Sequence, residues 1–386
     1  MSPVGRFPDV FPEFIVPDVV PATAEAAGNI WGHWRSCARP MPNAQFTEDP
    51  VENARRRFWY FVRTGQSAKS CPGHQKTVTG LSFDFFDHAH VWAGATTINS
   101  VNVIGASAGL ARNYSAFTHA LLSHPEVLPD LGNSAEEISS FDSMRECDWM
   151  ADLADVESAI RWSNLPLKQL PAPRTFERKK IAELLTAIAM DFVFWHEISH
   201  LRRGHVHYLL KEHGNPIYGE FDGQIADVDV RHALELDADN GALEIMIWPV
   251  LKGGTIRSFQ MEKKDGPDYL EMFFLATGFL FLMFDCGTTP DTEYSKSTHP
   301  HPLIRYWNLV THAIALARSE RWDLERLQDI AINALHAVGI AAIATDLPNA
   351  IMAETGRLGM RGVSEEQQRI TANINTLVSS HPSLRI

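Results

Sequence analysis

The stretch from Ile181 to His205 constrains this chain more than any other. Ile181, Leu184, Leu185, Ile188 and Phe192 recur at helical spacing, and the run closes on FWHEISHLRRGH, Phe194 to His205. Thr175 stands where an N-cap belongs, so the spacing predicts a helix that stops near Gly204. Residues four apart share one face of a helix, so His196 and His200 can aim their rings at a common point. Glu197 lies beside the first of them. A fold built on such a helix must either satisfy two histidines and a glutamate within its own core or give them a metal ion.

H-E-x-x-H is the spacing by which one helix gives a zinc ion two ligands, with the glutamate as general base for an attacking water. A catalytic zinc also needs a third protein ligand and an open position. One source of that ligand fails at once. The pattern H-E-x-x-H-x-x-G-x-x-H requires glycine at 203 and histidine at 206, where the chain has Arg203 and Val206. His205 and His207 read as polar residues at a helix end, where positive charge suits the macrodipole. A better source is RHALELDADNGALEI, Arg231 to Ile245, which is apolar at Leu234, Ala238, Ala242 and Ile245. Glu235 can complete a His-His-Glu set there. Asp239, one turn on, can accept the free N–H of a ligand histidine and fix its tautomer. The plainer alternative is a solvent-facing acidic stripe that includes Asp227, Asp229 and Asp237.

A third element, STHPHPLIRY from Ser297 to Tyr306, sets His299 and Arg305 around a proline-stiffened turn leading into a helix. Either side chain can donate a hydrogen bond to the oxyanion formed when water attacks a peptide carbonyl. Taken together, HEISH at 196–200, ELDAD at 235–239 and HPHPLIR at 299–305 resemble the gluzincin metallopeptidases of the HtpX, Oma and CAAX-prenyl-protease group. The resemblance runs from about Glu183 to Asn308. It implies a zincin-like core and one Zn2+ per chain held by His196, His200 and Glu235. It also implies Asp239 behind a zinc histidine, Glu197 as catalytic base, His299 and Arg305 lining the cleft, and a protein or peptide as substrate. That group is embedded in membranes, so the Lit-type phage-exclusion peptidases, soluble proteins that also carry H-E-x-x-H, are a second comparison.

Composition bears on the remaining classes. The 386 residues are 45% hydrophobic and 21% charged, enough for a substantial core. A net charge of −13 argues against generic binding to nucleic acid or anionic membranes. Four scattered cysteines without a C-x-x-C pair suggest neither a disulfide framework nor a thiolate zinc knuckle, and fit the cytoplasm. The proline-punctuated N-terminus lacks the apolar run of a signal peptide. The longest apolar run, Met272 to Phe284, reaches roughly 20 Å as a helix against about 30 Å of bilayer hydrocarbon, so it reads as a core helix and no membrane span is expected.

The expected architecture is α+β and mostly helical, with a small sheet and helical flanks. Residues 1–50 read as an extended arm, 51–170 as an α+β part of the catalytic domain, 171–310 as the zincin core and 311–386 as C-terminal helices. Val91 to Ile104 is rich in β-branched residues and reads as one or two strands. The part from Thr96 onward is the candidate sheet edge for a substrate strand, with Thr96, Asn99 and Asn102 as its contacts. Capping-box spacing at Ser134–Glu137 and Ser364–Gln367 predicts helix starts at both places. Other classes find little support. A di-iron bundle needs a second E-x-x-H, which the chain lacks, and there is no G-x-S-x-G. The non-enzyme alternative is a latent zincin-like scaffold that binds a protein partner, its metal closed off by His205, His207 or His232 as a fourth ligand.

Overall fold

A computed structural model describes residues 19–21, 49–65, 78–86, 91–98, 100–137, 171–213, 217–219, 228–251, 269–285, 299–344, 350–381 and 384. In chain order these form β1 (Val19–Pro21), α1 (Pro50–Gly65), β2 (Val78–Phe86), β3 (Ala93–Ile98), β4 (Val101–Ser107) and α2 (Ala108–Leu122). There follow α3 (Phe176–Arg202), α4 (His205–His213), β5 (Ile217–Gly219), α5 (Val228–Leu251) and α6 (Tyr269–Asp285). The last three helices are α7 (Pro302–Ser319), α8 (Leu324–Ala344) and α9 (Ala350–Ser380). The described chain is thus α+β and mostly helical. The expected arm lies almost wholly outside the described residues, as does most of the loop expected from Gly287.

The helix inferred from the Ile181 periodicity is α3, and it is the axis of the fold. From Ile181 to His200 nearly every side chain is buried, on all faces. A helix that is apolar all round must be surrounded; α1, α2, α5, α6 and the sheet do this. The one carboxylate in its apolar middle, Asp191, is paired with Arg57 of α1. α6 is likewise buried along its length. Among the described residues no helix is long and apolar enough to cross a membrane.

Two polar devices hold the start of α3. Arg178 is fully buried and donates to five carbonyls, those of Leu122, His124, Val127, Leu128 and Leu131, at 2.6–3.0 Å. It thereby ties the loop after α2 to the first turn of α3. Glu137 accepts from the backbone N–H groups of Arg174 and Thr175 and from the Thr175 hydroxyl. Two sequence expectations are corrected here. Ser134 starts only a 3-10 turn, Ser134–Glu136, because the Glu137 carboxylate meant to reach back to it is bound to the N-terminus of α3, where its charge suits the dipole. Thr175 occupies the N-cap position of α3 but makes no side-chain cap, its hydroxyl being given to Glu137. The second capping box also fails: Ser364 lies inside α9, where its hydroxyl accepts from Gln368 at 3.3 Å.

The sheet has the order β1-β2-β4-β3-β5, with β1, β2 and β4 parallel and β3 antiparallel to both β4 and β5. This order corrects the substrate edge expected from Thr96 to Ile104. β4 is bonded on both sides, and β3 is covered by β5 over Gly94–Thr96. Thr96 is fully buried, and Asn102 accepts from the Thr97 hydroxyl across the hairpin at 2.8 Å. Asn99 lies outside the described residues.

α5 packs directly on α3. A Cβ at Gly241 would stand 2.4 Å from Ser199 Oγ and 2.8 Å from Ser199 Cβ, so only glycine permits this approach. α7 is joined to α5 by Asn308, whose Nδ2 donates to Asn240 Oδ1 at 2.8 Å and to the Leu236 carbonyl at 3.3 Å. The three elements singled out in the sequence therefore meet at one place.

Candidate metal centre

His196 and His200, in the last turns of α3, present their Nε2 atoms to each other at 3.0 Å. α5 brings Glu235 against both: Oε2 lies 3.3 Å from His196 Nε2, and Oε1 lies 3.6 Å from His200 Nε2. All three side chains are buried, and their donor atoms form a group able to hold a metal ion. The spacing is informative. A zinc ion with ligand bonds of about 2.0–2.1 Å in tetrahedral array sets neighbouring donor atoms about 3.3–3.4 Å apart. Moreover, Glu235 Oε2 makes no hydrogen bond although it is buried, and His196, His299 and Arg305 ring it at 3.3, 3.5 and 3.7 Å. Buried carboxylate oxygens rarely go without a partner; a cation at this point would supply one. Among the described residues the group comprises these three side chains, and His232 is not part of it.

Asp239, one turn beyond Glu235, lies behind the first histidine, its Oδ1 2.8 Å from His196 Nδ1. Arg305 of α7 donates to the same carboxylate through Nε at 2.9 Å and Nη2 at 2.7 Å. The guanidinium rests on the Phe281 ring, 4.6 Å from its centroid. Thus Arg305 is committed to Asp239, whereas His299 faces Glu235 from the outer side with 29% of its side chain exposed.

The charges follow from this crowding. Burial opposes a charge on His196, but Asp239 and Glu235 outweigh it and lift the ring to about 10. Burial, with His196 beside it, holds His200 well below the usual imidazole range. Burial would raise the Glu235 carboxyl, yet His299, His196 and His200 hold it well below the ordinary carboxylate range. Asp239 is lowered in the same way, chiefly by Arg305 against burial. Burial pushes His299 down to about 4. The centre thus holds two anionic carboxylates and one protonated imidazole, and a divalent cation would take that proton's place.

Glu197 is also buried, and it borders a small apolar cavity walled by Phe83, Ile104, Leu110 and Phe194, under the sheet. Around the helix it lies about 100° past His196 and about 60° past His200, so it leaves α3 beside the two rings.

The structure brings His196, His200, Glu235, Asp239, His299 and Arg305 together, with Glu197 on the helix of the two histidines, and two further residues adjoin them. His205 is not a solvated helix end. It is 1% exposed, with Nδ1 3.0 Å from His200 Nδ1 and Nε2 3.0 Å from Asp237 Oδ2. Asp237, assigned to an acidic surface stripe, receives both that ring and Arg203. The available signal was Gly204, whose positive φ of 76° ends α3 and turns the next residue back toward His200. His207 is exposed, as expected of a helix end.

The chain matches the family model of peptidase U49 over residues 125–323, just over half of its length, a span that contains every residue of this centre. No curated protein and no solved structure matches it.

Proposed function

The chain belongs to the peptidase U49 family, and from that premise we propose that it is a zinc-dependent endopeptidase. In this reading His196, His200 and Glu235 hold one zinc ion and Glu197 is the general base. As a peptidase it acts on proteins or peptides. The zinc reading rests on one observation: a buried His-His-Glu group that offers one ligand atom from each side chain, all within 4.8 Å of one another. Three protein ligands leave the open position that catalysis requires. The scaffold alternative needs a fourth, and one candidate for it, His205, instead faces the back of the His200 ring.

Bound there, zinc would supply a Lewis acid for the scissile carbonyl and would lower the pKa of the attacking water toward about 7. Glu197 then takes the proton from that water at its carboxylate and passes it to the leaving amine. His299, on the outer side of Glu235, donates its ring N–H to the oxygen that gains charge. Arg305 works through Asp239 and His196 rather than on the substrate, because two of its nitrogens are already bonded to Asp239. The HEISH, ELDAD and HP…R parts resemble those of the HtpX, Oma and CAAX-prenyl-protease group, and on that resemblance we extend a zincin-like core to residues 171–310 of this chain.

The test is cleavage of a fluorogenic peptide library. Wild type is expected to cleave, a chelator to stop it, and Glu197→Gln to keep its zinc while losing turnover. Cleavage by Glu197→Gln at the wild-type rate would remove Glu197 from the role of base.

A further inference from the structure

The two ligand histidines are supported in different ways. His196 Nδ1 meets Asp239 directly at 2.8 Å. His200 Nδ1 meets another ring, His205 Nδ1, at 3.0 Å, and beyond that ring stands a carboxylate, with His205 Nε2 3.0 Å from Asp237 Oδ2. The other oxygen of Asp237 accepts from Arg203 Nη1 at 2.6 Å, and Arg203 Nη2 continues to Glu244 at 2.9 Å.

The donors in this chain have a fixed order. Two facing ring nitrogens bond only when one carries a hydrogen and the other is bare. An ionised carboxylate only accepts, so His205 Nε2 carries the hydrogen given to Asp237. In the neutral ring His205 Nδ1 is then bare and accepts from His200 Nδ1–H. That leaves the lone pair of His200 on Nε2, the atom that faces His196 and Glu235. We propose that His205 and Asp237 are positioning residues that set the tautomer of His200, making its Nε2 a metal ligand. The proposal rests on the zinc reading above and deepens it. The three acidic residues of ELDAD then have distinct tasks: Glu235 toward the metal, Asp239 behind His196, and Asp237 behind His200 by way of His205.

A conservative substitution separates this from mere structural support. In Asp237→Asn, Arg203 can only donate, so the amide oxygen stays with Arg203 and the amide nitrogen turns to His205 Nε2. An amide N–H also donates. His205 must then carry its hydrogen on Nδ1 and present it to His200, which drives the His200 hydrogen onto Nε2, where the metal lone pair is needed. Asp237→Ala imposes no such reversal. Zinc affinity, measured by competition with a chromophoric chelator, is therefore expected to fall in the order wild type, Asp237→Ala, Asp237→Asn. The asparagine variant should lie roughly 10- to 100-fold below wild type. His205→Asn, whose side-chain oxygen can accept from His200, should bind tighter than His205→Leu. Melting of the metal-free variants in EDTA shows whether each one is folded. Asp237→Asn binding zinc as tightly as Asp237→Ala, or more tightly, would overturn the relay, since a purely structural role favours the closer isostere.

Failure of the zinc reading looks different. In that case wild type itself takes up no zinc, and the relay is decided by the 15N-imidazole spectrum of the metal-free protein. A hydrogen on His200 Nδ1 in wild type and on Nε2 in Asp237→Asn supports the relay. A hydrogen on Nε2 in wild type refutes it.

Discussion

Arg305 grips Asp239 at two points, Nε to Oδ2 at 2.9 Å and Nη2 to Oδ1 at 2.7 Å, and the pair is buried at 7% and 0% side-chain exposure. A carboxylate so placed depends on its partner, and the same carboxylate holds the His196 ring at 2.8 Å. Arg305→Met should therefore destabilise the metal-free protein by about 3 kcal/mol, the scale for breaking a buried pair from one side. Arg305→Lys keeps the charge but loses the fork, and should lie between wild type and Met. Urea unfolding in EDTA measures both. A loss below about 1 kcal/mol for Met would mean that His196 alone satisfies Asp239.

Gly241 sets how closely the Glu235 helix approaches the His196 helix. A methyl group there would overlap Ser199 and come within 2.9 Å of Arg203 Nε, contacts with little room to relax. Alanine is the better helix former by about 1 kcal/mol, but overpacking costs typically 1–3 kcal/mol. Gly241→Ala is expected to be net destabilising and to weaken zinc binding by moving Glu235 outward. Adding Ser199→Gly, which removes the two closest atoms, should recover part of both losses. An alanine variant as stable and as avid for zinc as wild type would show that the helices can separate freely.

His299 differs from the ligands in what its loss should do. His299→Ala is expected to keep zinc and lower kcat by on the order of 10²–10³, the usual effect of removing an oxyanion donor. Zinc loss in this variant would move His299 from the substrate side to the ligand set. Parallel steady-state kinetics and metal analysis separate the two outcomes.

A pH dependence follows from Glu244, which joins α5 to α7 through His312 at 3.0 Å and to α3 through Arg203 at 2.9 Å. Burial tends to raise its carboxyl, but the contacts with His312 and Arg203 prevail and lower it from the ordinary value of 4.5. A folded-state pKa below the unfolded one means stability that is present above pH 4.5 and lost as pH falls through the lowered value. Glu244→Gln should melt below wild type at pH 7, and the gap should shrink as pH falls below 4.5. A gap that stays constant down to pH 3 would show that the charge on Glu244 contributes nothing.

The parts of the site that were legible in the sequence are those whose chemistry depends on local spacing. His196 and His200 share a face because they are four apart, and the same holds for Glu235 and Asp239; helix periodicity then placed α3, α5 and α6. What was not legible depends on which elements meet. Glu137 has the spacing of a local capping box, yet it binds the residues that lead into α3, beginning 37 residues on at Arg174. Thr96 has the composition of an edge strand, but pairing with β5 is a long-range event that no local pattern records. His205 and Asp237 look like polar surface until Gly204 turns the chain beneath His200. Gly241 reads as a weak point in a helix until Ser199 is set against it.

The central claim is that His196, His200 and Glu235 share one metal ion. Its most direct test is the zinc content of purified protein after dialysis against buffer with trace zinc, for wild type and Glu235→Ala side by side, with melting curves to confirm that both are folded. The account predicts close to one zinc per wild-type chain and very little in the folded variant. Wild type without zinc, or a Glu235→Ala variant that keeps its full complement, would contradict it.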